Sequence, residues 1–129
     1  VHELVQSERC YVLHEERTYP LSDGRVLPLS HSLFDNDAIF LYDTCGSVML
    51  TAGEKKSVRV DYPDMKYIGF WHLPHTEAPY VCIEPWTSCP SYDGELDDLE
   101  TKRDMLRLEA GGHYTTSFTV SICTGEAAQ

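Results

Sequence analysis

The sequence has no apolar run long enough to cross a bilayer as a helix, and no C-x-x-C pair, P-loop, G-x-S-x-G elbow or dinucleotide fingerprint. It is also poor in bases: 10 Lys and Arg stand against 21 Asp and Glu, a formal charge of −11. A surface this acidic repels phosphate backbones and anionic lipid, which argues against nucleic-acid and membrane partners. The opening residues, VHELVQSERC, lack the basic start and apolar centre of a secretory signal. They also lack an initiator Met, so the chain is expected to be a processed or cut piece of something longer. Helix signals are scarce. SHSLFDN (30–36) fits a single turn, and DDLETKRDML (97–106) has helix-compatible residues but too weak an apolar stripe.

What the chain does have is strand signal, within 129 residues that suit one domain and one core. The runs are RCYVLHEE (9–16), DAIFLYD (37–43), GSVMLTA (46–52), KSVRVDY (56–62), KYIGFWH (66–72), PYVCIE (79–84) and HYTTSFTVSI (113–122). KSVRVDY alternates cleanly, with Val58, Val60 and Tyr62 on one face and Arg59 and Asp61 on the other. AGEKK before it suits a hairpin loop. In HYTTSFTVSI, Phe118, Val120 and Ile122 share a face. Turn residues separate the runs, at Asp23-Gly24, Gly46, Gly53, Pro63-Asp64, Pro74, Pro79 and Gly111-Gly112. Strands at this spacing predict an all-β, antiparallel sandwich over residues 1–129. Five cysteines at irregular spacing fit reduced thiols and a cytoplasmic location better than a disulfide framework, with a Cys82–Cys89 bridge left open.

The stretch PYVCIEPWTSC holds one acid, Glu84, among apolar residues. In an extended strand Tyr80, Cys82 and Glu84 share a face, while Val81 and Ile83 take the other. Pro85 holds Glu84 extended and withholds an N–H, so the strand is expected to end there with Glu84 near the sheet rim. A carboxylate partly desolvated beside aromatic rings suits a general base; the competing reading is a surface acid or the partner of an arginine. Asp37, in DNDAIF, is placed to accept two hydrogen bonds from vicinal sugar hydroxyls, and equally placed to cap a turn. Trp71, in FWHLPH, offers an indole face for a pyranose ring or for core packing. His72 and His75 with Cys82 and Cys89 suggest zinc, but Pro74 interrupts the pair and the cysteine spacing fits no common finger. SYDGELDDLE (91–100) resembles a calcium loop only superficially, because Gly94 comes too early. No metal is expected.

The segments LPLSHSLFDNDAIF, FWHLPHTEAPYVCIEPW and KRDMLRLEAGGHYTTSFTVSI, in this order, resemble the C-terminal part of the aldose 1-epimerase (galactose mutarotase-like) family, in its LacX-like branch. The resemblance covers most of residues 27–122. It implies the large β-sandwich of the mutarotases and their chemistry, the interconversion of α and β anomers of free hexoses of the galactose or glucose class. There a Glu takes the proton from the C1 hydroxyl while a His gives one to the ring oxygen. By position Glu84 matches the base, Asp37 the acid that binds sugar hydroxyls, and Trp71 the strand Trp of the branch. No cofactor is implied, since the chemistry is proton transfer and bond rotation. Family members are more than twice as long, and their acid histidine lies in an upstream H-P-x-F-like segment that none of the six histidines here matches. The chain is therefore expected to carry the base half of a site. It is further expected to pair with its missing N-terminal portion, another chain or a copy of itself. A non-catalytic carbohydrate-binding module is the alternative.

Overall fold

A computed structural model describes residues 1–53 and 56–124. Its strands are β1 (His2–Gln6), β2 (Val12–Thr18), β3 (Ile39–Tyr42), β4 (Ser47–Ala52), β5 (Lys56–Asp61), β6 (Tyr67–Trp71), β7 (Cys82–Trp86) and β8 (Thr119–Thr124). They form a five-stranded sheet in the order β2-β1-β3-β6-β7 and a three-stranded sheet in the order β4-β5-β8, with every pairing antiparallel. The chain is an all-β sandwich, as its strand pattern predicts. No helix among the described residues is long and apolar enough to cross a membrane.

Alternation decides what meets between the sheets. Ile39 and Leu41 of β3, Ile68 and Phe70 of β6 and Ile83 of β7 point inward. Val48 of β4, Val60 of β5 and Tyr62 just after it meet them from the small sheet. Tyr62 is wholly buried, and its hydroxyl reaches Thr44 Oγ1 at 3.0 Å, which satisfies the one polar atom it brings inside. SHSLFDN supplies the single turn expected of it, a 3₁₀ turn over His31–Phe34 that drops Phe34 into the same core.

The intervening residues lie on the outer face of the five-stranded sheet. There Leu4, Phe40, Tyr67 and Val12 form a second cluster with Cys89. The segment after β7 runs back across this face. Val12 donates to the Ser91 carbonyl at 2.9 Å, and Asp93 returns a bond to the Val12 carbonyl at 2.8 Å. Residues 97–106 form turns and not a helix. Leu96 is fully exposed and Leu99 is 71% exposed, so no apolar stripe is available to bury. The segment is instead pinned by polar contacts. Tyr67 donates its hydroxyl to Asp104, and Lys66 Nζ reaches the same carboxylate at 3.0 Å.

Burial works against ionisation of Asp104, but the Tyr67 hydroxyl, Lys66 and Arg103 outweigh it and hold its carboxyl below the usual carboxylate range. A depressed folded value contributes stability above the unfolded value, and that contribution is lost as pH falls through the folded one. Asp104→Asn is therefore expected to unfold at lower urea than the parent chain at pH 7, with the gap closing below about pH 4. Parallel urea titrations at the two pH values measure it.

Several strands differ from the sequence pattern. β1 carries no clear alternation, because Glu3 stands on a buried face, only 9% exposed, where Arg17 across β2 meets it at 2.7 Å. β2 begins at Val12 and not at Arg9, since Cys10 adopts a left-handed φ of 63° in a turn closed by its N–H to the Ser7 carbonyl. β7 does not stop at Glu84 but runs through Pro85 to Trp86. It is an edge strand, and an edge strand tolerates a residue without an N–H where that N–H faces outward. The AGEKK loop lies partly outside the described residues.

Candidate functional site

The outer face of the five-stranded sheet brings the predicted site residues together. Glu84 of β7 stands opposite Gly69 of β6, with Cys82 opposite Trp71 and Trp86 opposite Tyr67. Cross-strand partners share a face, so Glu84 and Trp71 are diagonal neighbours on it, on the order of 7–8 Å apart. Val81 and Ile83 pack on the opposite, inner side, as the alternation of PYVCIE predicts. Asp37, just before β3, joins from the adjacent strand end: the Trp71 indole N–H donates to Asp37 Oδ1 at 2.7 Å.

Glu84 is half-buried, and among the described residues no arginine, lysine or histidine pairs with it. The Cys82 thiol, two residues earlier on the same face, is pushed up chiefly by burial and further by the Glu84 carboxylate. Gly69 makes the space beside it. A Cβ there would lie 3.0 Å from Cε1 of Phe40 and 3.6 Å from the Glu84 Cβ. The Phe40 ring thus slides under the position opposite Glu84 and lies tilted against Trp86, ring centroids 4.8 Å apart. Gly69→Ala is expected to destabilise the chain by about 1–3 kcal/mol, as overpacking does, and to alter the Trp86 fluorescence, both read in a urea titration.

Asp37 holds an unusual backbone, with φ at 80°, which Asp tolerates better than most side chains. Its N–H donates to the Phe34 carbonyl at 2.9 Å. Its carboxylate also hydrogen-bonds the Cys10 thiol, which it pushes up. The turn reading of Asp37 is visible in its geometry. It closes the turn into β3, and a carboxylate with about four acceptor sites still has room after serving Trp71 and Cys10.

The histidines stay apart from this cluster. His72, 2% exposed, packs against Phe34 of the inner core, and its Nε2 meets His31 Nδ1 at 2.7 Å. His75 is exposed and faces Asp35 at 3.3 Å. The pair considered as zinc ligands is therefore split, and no group of three or more metal-binding side chains occurs among the described residues. All five cysteines are free thiols, Cys82 and Cys89 included.

A hollow of about 820 Å³ is lined by Glu3, Gln6, Cys10, Arg17, Asn36 and Asp37, among others. Glu84 lines neither it nor the smaller hollow beside Trp86. Glu84 and Trp71 thus lie on an open sheet face, half-covered by their own neighbours, with Asp37 at the boundary between that face and the hollow. The sequence pattern does not single out Gly69, Phe40 or Cys10 as parts of this site. A glycine inside the strand run KYIGFWH is itself a sign of close approach, and it was the one available signal. No family model, no curated protein and no solved structure matches the chain.

Proposed function

We propose that this chain carries the base half of an aldose 1-epimerase site, with Glu84 taking the anomeric proton of a free hexose. The single observation behind the proposal is the placing of Glu84 and Trp71 on one sheet face with Asp37 at its edge, from two segments that resemble the family's. Glu84, without a basic partner, is free to accept a proton. Trp71 is held by Asp37 through its indole N–H, and Asp37 accepts from sugar hydroxyls with its remaining oxygen sites. A proton reaches the ring oxygen from a donor outside this cluster, since His72 is turned to the inner core and His75 to Asp35. The open face around Glu84 calls for a further chain segment to enclose the sugar, the role proposed for a partner. A cytoplasmic location agrees with the free thiols and is part of the proposal.

The test is polarimetry of fresh α-galactose and α-glucose with the pure chain, beside NMR titration of the tryptophan indole signals with each sugar. Faster anomer exchange together with a shift of the Trp71 signal is the expected result. A shift without faster exchange shows that the chain alone binds sugar without turning it over, as the second reading, a carbohydrate-binding module, requires. Neither effect at sugar concentrations of about 100 mM, a Kd weaker than almost any specific site, overturns both.

A further inference from the structure

The face that carries Glu84 continues past Trp71. Val81 and Ile83 both pack on the inner side, so Tyr80, Cys82 and Glu84 turn to the outer one. Four residues separate Glu84 from Tyr80, about 13 Å of strand. Trp71, opposite Cys82, stands between them. The Tyr80 ring is 44% exposed, and its centroid lies 6.2 Å from that of Trp71, with the planes inclined at 48°. Two contacts fix this ring. Its hydroxyl accepts the Leu73 N–H at 3.2 Å, and its centroid lies 5.2 Å from that of the buried His72 imidazole. Trp71 is fixed in turn by its N–H to Asp37. Next to the proposed base there is thus a rigid aromatic ledge with a carboxylate at its edge. Aromatic rings stack on the C–H face of a sugar, and a carboxylate accepts from its hydroxyls.

We infer that this ledge is a second sugar subsite: the ligand is a neutral reducing disaccharide lying along β7, its reducing ring at Glu84 and its second ring on Tyr80. Length selects this ligand. Glu84 and Trp71 are diagonal neighbours about 7–8 Å apart, a distance that one pyranose bridges. Tyr80 lies beyond the reach of that ring, whereas two rings joined through a glycosidic oxygen cover the whole strip. Charge narrows the choice further. Glu84 and Asp37 flank the strip, so a phosphorylated or acidic sugar is repelled from it. The second ring takes no part in proton transfer. It stacks on a tyrosine that is already held in place, so little side-chain entropy is lost on binding. The orientation, reducing end at Glu84, rests on the base reading proposed above; the subsite itself rests on the placing of the two rings.

NMR titration of the full chain with glucose and with cellobiose tests it. The two share a reducing glucose, and the flat, straight cellobiose suits a strip along one strand. Cellobiose is expected to bind about fivefold more tightly, the worth of one aromatic contact. The Trp71 indole signal should move with both sugars and the Tyr80 ring signals with cellobiose alone. Tyr80→Leu keeps an apolar cover over His72 but removes the ring, and should cut the ratio of the two Kd values from about five to about one. Circular dichroism checks that the variant is folded; if it is not, the Tyr80 ring signals of the parent chain decide. Equal affinity for the two sugars overturns the inference, as do Tyr80 signals that stay still or a folded Tyr80→Leu chain that keeps the advantage. Binding of neither sugar at about 100 mM overturns it too. Polarimetry of the same samples separates this result from the base reading. Tighter cellobiose binding without faster anomer exchange of either sugar leaves the subsite standing and removes the base role. Faster exchange of glucose with no preference for cellobiose does the reverse.

Discussion

Glu84→Gln is expected to slow anomer exchange of a free hexose by about 10²–10⁴, the usual contribution of one proton-transfer group, while leaving urea stability within about 0.5 kcal/mol. The second half of the expectation follows from the surroundings. Glutamine keeps the shape that packs opposite Gly69, and no ion pair among the described residues is broken by removing the charge. A separate readout shows whether the carboxylate works as a charge. The Cys82 thiol is raised first by burial and then by the Glu84 carboxylate, so the variant should bring it down and speed its alkylation at a fixed pH, followed at Cys82 by mass spectrometry. Slower exchange with unchanged stability and faster Cys82 alkylation assigns the base role to Glu84. Unchanged exchange removes it.

Asp37→Ala is expected to destabilise the chain by roughly 2–4 kcal/mol, from a left-handed backbone that alanine adopts poorly and the loss of a charge-assisted acceptor. The loss strands the Trp71 indole N–H, which Asp37 accepts at 2.7 Å, at a position where φ is 80°. Asp37→Asn separates structure from binding. Asparagine tolerates that φ, and its carbonyl oxygen can still accept from the indole, so its stability cost should stay below about 1 kcal/mol. It loses one of the two carboxylate oxygens and the charge, so the sugar-induced shift of the Trp71 signal should weaken in Asn and Ala variants alike. Urea titration and NMR titration of the two variants give the contrast. If Asn binds sugar as the parent does, Asp37 is a turn residue only.

The sandwich was legible because β5 alternates strictly, β3 and β6 are short apolar runs of strand-forming residues, and their turns are marked by Gly, Asp and Pro. Alternation does not decide on which side Trp71 lies, whereas the face of Glu84 was legible by it. Their mutual placement was not, because it depends on the β6–β7 register, which no local pattern specifies. β1 was hidden by Glu3, an acid that reads as solvent-facing until Arg17 is brought opposite it by the hairpin. The tail of HYTTSFTVSI reads as a ten-residue strand, yet pairing is confined to Thr119–Thr124 because β5 offers only Lys56–Asp61 to pair with. The same run predicts a buried apolar face, whereas Ile122 stands mostly in solvent. Periodicity reports which side chains agree with one another and not whether anything lies across from them.

The order of strands in the small sheet also sets a sequence of events during folding. β4 and β5 are joined by a short connection and pair locally, but the far side of β5 waits for β8, which follows some sixty residues later in the chain. Closing so long an intervening loop is entropically slow compared with zipping a hairpin. Until it happens, the nascent hairpin presents an unsatisfied backbone ladder beside Val58 and Val60. In a crowded refolding mixture that transient ladder is where a neighbouring molecule inserts, so yield should depend more steeply on protein concentration than the finished fold suggests.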